Sequence, residues 1–173
     1  MYDFVPHLIV NRFGVSWPKV TSFLAALREE QGASLPVGVA GFCWGGLHAI
    51  KLAHDNAETR TPSGRPLVDA CFTAHPSNVT LPQDITEVKR SLSVAIGDDD
   101  AVMSLQSAKQ AQKLLQEKPD VPSEFVIYPG AKHGFAVRAS RTVPDSQETL
   151  QAEEAEEQAI AWFQRQFNAI GHA

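Results

Sequence analysis

The sequence predicts an α/β fold of three layers: a mostly parallel sheet of about four to five strands with helices on both faces. Two observations carry this. Short β-type runs alternate along the chain with stretches of helical periodicity, which is the signature of a parallel sheet covered on both sides. The chain has 173 residues, 43% hydrophobic and 20% charged, enough for one core and too apolar for disorder. No repeat, low-complexity tract or linker interrupts it, so residues 1–173 read as a single domain.

The elements follow in order. Ser16 reads as a helix cap with Pro18 in the first turn. Val20, Phe23, Leu24 and Leu27 then recur at helical spacing, and Gly32 stands past the end. Residues 36–41 read as a buried strand and 44–55 as a helix. Residues 59–66, rich in Pro, Ser and Gly, form a turn. Strands follow at 68–75, 91–97 and 123–130, with a helix from about Val102 to Gln116 after the third strand. A long helix over roughly 145–169 closes the chain. Ile160, Phe163, Phe167 and Ile170 mark its expected buried stripe, and Glu153, Glu154, Glu156 and Glu157 its solvated face.

Composition excludes several function classes. The net charge is −5 and no Lys/Arg-rich tract occurs, so neither nucleic acid nor an anionic membrane is an expected partner. No apolar run approaches the roughly 20 residues of a membrane span. The N-terminal stretch lacks the pattern of a signal peptide. With only Cys43 and Cys71, a disulfide framework is not expected, and a reducing, cytoplasmic setting fits. His48 and His54 lie six apart on a helix, the wrong spacing for a shared metal, and no other ligand cluster is present. His7, His48, His54, His75 and His172 read by default as surface histidines.

Chemistry concentrates after the strands, at the rim where open parallel sheets place their sites. Gly41-Phe42-Cys43-Trp44-Gly45 is G-x-C-x-G, a nucleophile elbow with cysteine in the serine position. The strand-to-helix turn is so tight that its flanks must be nearly free of side chains. Cys43 then stands at a helix N-terminus, where the dipole favours a thiolate. The backbone N–H of Trp44 points where an oxyanion would form. The plainer alternative is a small buried cysteine with glycines that only permit packing. After the third strand comes Gly97-Asp98-Asp99-Asp100. The aspartate three positions past the glycine, Asp100, is the candidate acid, with Asp98 second; capping the next helix is the alternative job. After the fourth strand, His133 stands in a loop beside glycines. Nucleophile, acid, histidine is the chain order of α/β-hydrolases.

Together, GFCWGG, GDDDAV and YPGAKHGFAVR resemble the dienelactone hydrolase family of the α/β-hydrolase fold, and in particular its fungal members. The similarity extends from about Val15 to Phe167. The resemblance implies Cys43 as nucleophile, His133 as general base and acid, and Asp100 as the histidine's orienting partner. It implies hydrolysis of small activated esters or enol-lactones, as in carboxymethylenebutenolidase, through a thioester and with no metal or organic cofactor. Arg138 is the candidate for binding a substrate carboxylate, with His75 and Phe135 as further candidate substrate contacts. Trp44 either lines an acyl pocket or packs on the sheet.

One departure shapes the remaining expectations. Only 42 residues precede Cys43, and they read as one helix with a short lead, so the fold is expected to lack its N-terminal strands. Residues 1–35 match neither the loop giving the second oxyanion amide nor the family's glutamate beside the resting cysteine. An oxyanion donor is typically worth ~100- to 1,000-fold in rate. Residues 36–41 would form an open apolar sheet edge, which invites a homo-oligomer. The alternative function is therefore a non-catalytic module acting through protein contact. A peroxide-sensing role, with Cys71 resolving Cys43, is disfavoured because Cys71 reads as buried in mid-strand.

Overall fold

A computed structural model describes residues 12–140 and 142–171. The N-terminal lead, with His7, and the C-terminal His172 lie outside the described residues. Helix α1 (Phe13–Glu29) comes first. Strand β1 (Gly38–Phe42) enters helix α2 (Trp44–Leu52) with only Cys43 between them. Strand β2 (Ala70–Ala74), a short helix α3 (Gln83–Thr86) and strand β3 (Ser91–Asp99) follow. Helix α4 (Leu105–Gln116) leads to strand β4 (Ser123–Lys132), a one-turn helix α5 (Phe135–Arg138) and the closing helix α6 (Gln147–Gly171).

The four strands pair in sequence order and all in parallel, as expected. Gly38 registers with Ala70, Ala70 with Ser91, and Leu92 with Ser123. Alternation along the strands sends successive side chains to opposite faces. Cys71, Leu92 and Val94 pack with Leu24 of α1, Ile50 and Leu52 of α2, and Ala111 and Leu115 of α4. Phe72, Ala74 and Ala95 pack on the other face with Phe135, Ala155 and Trp162. The sheet is thus the middle of three layers.

Four details correct the sequence reading. Helix α1 begins at Phe13, with Arg12 at its cap and Pro18 inside it. Ser16 is no cap: its hydroxyl donates to the Phe13 carbonyl at 3.2 Å and meets His48 Nε2 at 2.8 Å. Helix α4 is capped by Ser104, whose oxygen accepts the Ser107 N–H, which releases the aspartates for other work. The α6 stripe is also different in part. Phe163 and Phe167 pack over Gly38 as expected, but Ile160 and Ile170 are exposed, while Ala152, Ala155, Gln158 and Trp162 face the sheet. Gln158 donates to Ser93 Oγ and the Val94 carbonyl and accepts from Tyr128. Finally, His48, His54 and His75 are buried. His54 Nε2 meets the Asp84 carbonyl and its Nδ1 meets Glu87.

Candidate active site

Cys43 sits at the tight turn between β1 and α2. Its φ is 52° and its ψ −116°, a left-handed conformation that costs a non-glycine residue ~1–3 kcal/mol. The neighbourhood holds it there. Its N–H donates to the Ala74 carbonyl, and its own carbonyl accepts from Gly46 and Ser77. A side chain at Gly41 would collide with the Gly45 carbonyl and Ala49, and one at Gly46 would come within 2.6 Å of Pro76 and Thr73. Those two glycines are therefore steric requirements of the turn. Gly45 is different: a Cβ there meets nothing within 4 Å, so the motif's second glycine is not demanded by space.

The elbow aims the sulfur at His133. His133 Nε2 lies 3.1 Å from Cys43 Sγ. On the far side of the ring, Nδ1 lies 2.9 Å from Asp100 Oδ2 and 3.1 Å from Oδ1. Asp100 is buried, and Oδ1 also accepts the Val102 and Met103 N–H groups at 2.7 and 3.1 Å. An ionised carboxylate only accepts. The proton shared with Asp100 therefore belongs to Nδ1, which leaves Nε2 free to take the thiol proton. The three aspartates divide their work: Asp98 accepts the Gly130 N–H and ties β3 to β4, Asp99 is exposed, and Asp100 turns inward. Asp100 meets the histidine and two loop amides at once, while capping of the next helix, the alternative weighed from sequence, falls to Ser104.

Opposing effects act on the thiol. Burial pushes its pKa up, but hydrogen bonds from His133, Ser77 and the Trp44 N–H, and the charge of His133, outweigh burial and bring it below the ordinary thiol value. Ser77, whose hydroxyl lies 3.6 Å from Sγ, is the participant that sequence reading passed over. Its signal was its place: it follows β2 on the same rim as Cys43. Cys71 is inaccessible within β2, and burial raises its pKa to about 12.

The other sequence-derived candidates lie close by with different surroundings. Arg138 is exposed and its guanidinium reaches the His133 carbonyl at 3.4 Å. With His133, Phe135 and Gln151 it lines a cavity of about 390 Å³. Phe135 is mostly buried, its ring tilted against Tyr128 with centroids 4.9 Å apart. His75 is wholly buried behind His133, so direct contact with substrate does not fit its position. Trp44 is partly exposed, 4.5 Å from the His48 ring. It walls a second cavity of about 240 Å³ with Phe13, His48 and Asn78. Among the described residues, no group of three or more His, Cys, Asp or Glu is placed to hold a metal ion. No helix there is long and apolar enough to cross a membrane.

Comparison with known proteins bears on the family and the fold. The sequence model of the dienelactone hydrolase family matches residues 18–167. Hydrolase pyvD of Aspergillus violaceofuscus is 25% identical over 146 residues, covering 84% of this chain and 54% of that protein. Carboxymethylenebutenolidase 2 of Cupriavidus pinatubonensis is 33% identical over 99 residues, 57% of this chain and 40% of that protein. The chain thus spans about half the length of these relatives. Among solved structures, a carboxylesterase from Lactobacillus plantarum superposes with a TM-score of 0.66 at 14% identity, over 87% of this chain and 67% of that one. A dienelactone hydrolase-like promiscuous phosphotriesterase from metagenomic libraries gives 0.63 at 17%, over 96% and 67%. At these identities the structural likeness concerns the fold.

Proposed function

This chain belongs to the dienelactone hydrolase family, and from that premise we propose that it hydrolyses small activated esters or enol-lactones with Cys43, His133 and Asp100. One observation carries the reading: Nε2 of His133 stands 3.1 Å from the Cys43 sulfur while Asp100 holds Nδ1 from behind. The thiol proton passes to Nε2, and the thiolate attacks the ester carbonyl. The carbonyl oxygen, gaining charge, is met by the Trp44 N–H, which in the resting site lies on the sulfur. The imidazolium returns its proton to the departing oxygen, leaving a thioester on Cys43. A water, deprotonated by the same Nε2, then attacks the thioester and frees the thiolate. The leaving-group oxygen must lie near His133, so the cavity shared with Arg138 suits that side of the substrate. The cavity beside Trp44 suits the acyl side.

The test is turnover of a panel of aryl esters and an enol-lactone before and after alkylation with iodoacetamide, alongside Cys43→Ala. Both treatments are expected to lower the rate by about a thousandfold or more. Equal slow hydrolysis by native and alkylated protein ends the reading.

A second reading is favoured by a separate observation. Among the described residues β1 pairs only with β2. Apolar grooves flank it on both faces, one with Phe23 and Val39, the other with Phe42 and Ile160. Such an edge suits pairing with a second copy of the chain, and protein contact would then be the function or an addition to it.

A further inference from the structure

We infer that His75 is a positioning residue for the Cys43–His133 pair: its buried ring is the wall against which the His133 imidazole is held in the plane that reaches the sulfur. The inference deepens the hydrolase reading and rests on it for the effect on turnover. Its geometric content, the coupling of the two groups, stands apart.

The wall is itself fixed. His75 follows β2 directly, with its N–H donating to the Ala95 carbonyl at 2.8 Å and its φ at 39°, so its direction is set by the sheet. Its ring is wholly buried. It meets His133 edge-on, with centroids 5.1 Å apart and planes at 67°. Phe135 holds it at 5.8 Å and Phe42 at 6.2 Å. Asp100 receives Nδ1 with both oxygens, which fixes where that nitrogen points but leaves the ring free to tilt about that contact. A tilt would swing Nε2 away from Sγ, and His75 is the ring in its path.

The wall also has to stay uncharged. Neither ring nitrogen of His75 has a hydrogen-bond partner among the described residues. Burial, then the charge of His133, pushes its pKa down to about 4. A neutral ring does not repel the imidazolium that forms when Cys43 gives up its proton. The titratable and charged groups facing this pair are Cys43 at the elbow, Asp100 after β3 and Arg138 on α5.

The experiment compares His75→Ala and His75→Leu, which remove the flat ring, with His75→Phe, which keeps it. Circular dichroism verifies folding, and His75→Leu keeps the core filled should His75→Ala unfold. The first readout is the rate of Cys43 alkylation by iodoacetamide across pH, which needs no esterase activity and so survives failure of the hydrolase reading. His75→Leu and His75→Ala are expected to raise the pH midpoint by about one unit, with His75→Phe close to the native protein. On an aryl ester, kcat should fall about tenfold in the ringless variants, with KM nearly unchanged. Ringless variants that match the native alkylation profile overturn the proposal. So does a His75→Phe profile displaced as far as theirs, since the ring would then not be acting by its shape.

Discussion

At one end of the sheet, β3 and β4 run for nine and ten residues with α4 and α6 packed against them. At the other, β1 runs for five residues and, like β4 at its own edge, pairs with one neighbour among the described residues. Each end supplies half of the proposed site: Asp100 and His133 follow the long strands, and Cys43 follows the short one. The backbone contacts of Cys43 explain how an edge strand can hold a strained residue. They run inward, to Ala74 at the end of β2, to Ser77 just beyond it, and to its own helix at Gly46. Among the described residues none runs to the outer side of β1. Cys43 is held by the strand next door, so the state of the outer edge and the geometry of the proposed site are separable.

Three perturbations probe that separation. The largest concerns the far end of the first two strands. Arg28 is buried, paired with Asp69 and donating to the Pro66, Leu67 and Leu35 carbonyls. Asp69 in turn accepts the Val37 N–H that leads into β1. Arg28→Ala strands that carboxylate and is expected to cost about 3–5 kcal/mol in urea denaturation. Gln158→Ala, which opens the polar contacts between α6 and β3, should cost about 1–3 kcal/mol. An equal loss would mean that the β1 end is no more dependent on a single anchor than the β4 end.

The next effect is on proton affinity. Hydrogen bonding and charge from His133 lower the Cys43 pKa against the upward push of burial. Asp100→Asn removes the charge that stabilises the imidazolium and favours the wrong tautomer. The lowering weakens, so the pH midpoint of alkylation should move up, by about one unit. A midpoint that stays or falls would show that the acid half does not govern the thiol. The smallest effect is at the edge itself. If β1 pairs with a second copy, Val39→Lys should halve the mass seen by light scattering and leave the alkylation profile unchanged. A native protein that is monomeric at every concentration removes the pairing.

Legibility in the sequence follows the same division. The elbow, the acid and the histidine were readable because each is a short motif beside a strand end, where local spacing and site coincide. Asp100 could be chosen over Asp98 and Asp99 because it stands three positions past Gly97 and directly before an apolar residue, the spacing of the acid loop in this fold. Ser77 and His75 were not assigned their places, since their roles depend on where β2 delivers the following loop relative to Cys43 and His133. The α6 stripe was misread for another reason. Its inner face is made of Ala152, Ala155 and Gln158; alanines are too small, and a buried glutamine too polar, to register as a hydrophobic face. Ser16 looked like a cap because caps are short polar residues before an apolar run. Its hydroxyl is instead occupied by His48, 32 residues away.

The two cysteines differ in a way that has a practical use. One sulfur is reachable and acidified, while the other is sealed in the second strand with its proton held tightly. A colourless-to-coloured disulfide reagent should therefore consume one equivalent with the intact molecule and two once the sheet comes apart. The chain carries its own gauge of integrity, in which the number of slow sulfhydryls per chain equals the fraction of molecules still assembled.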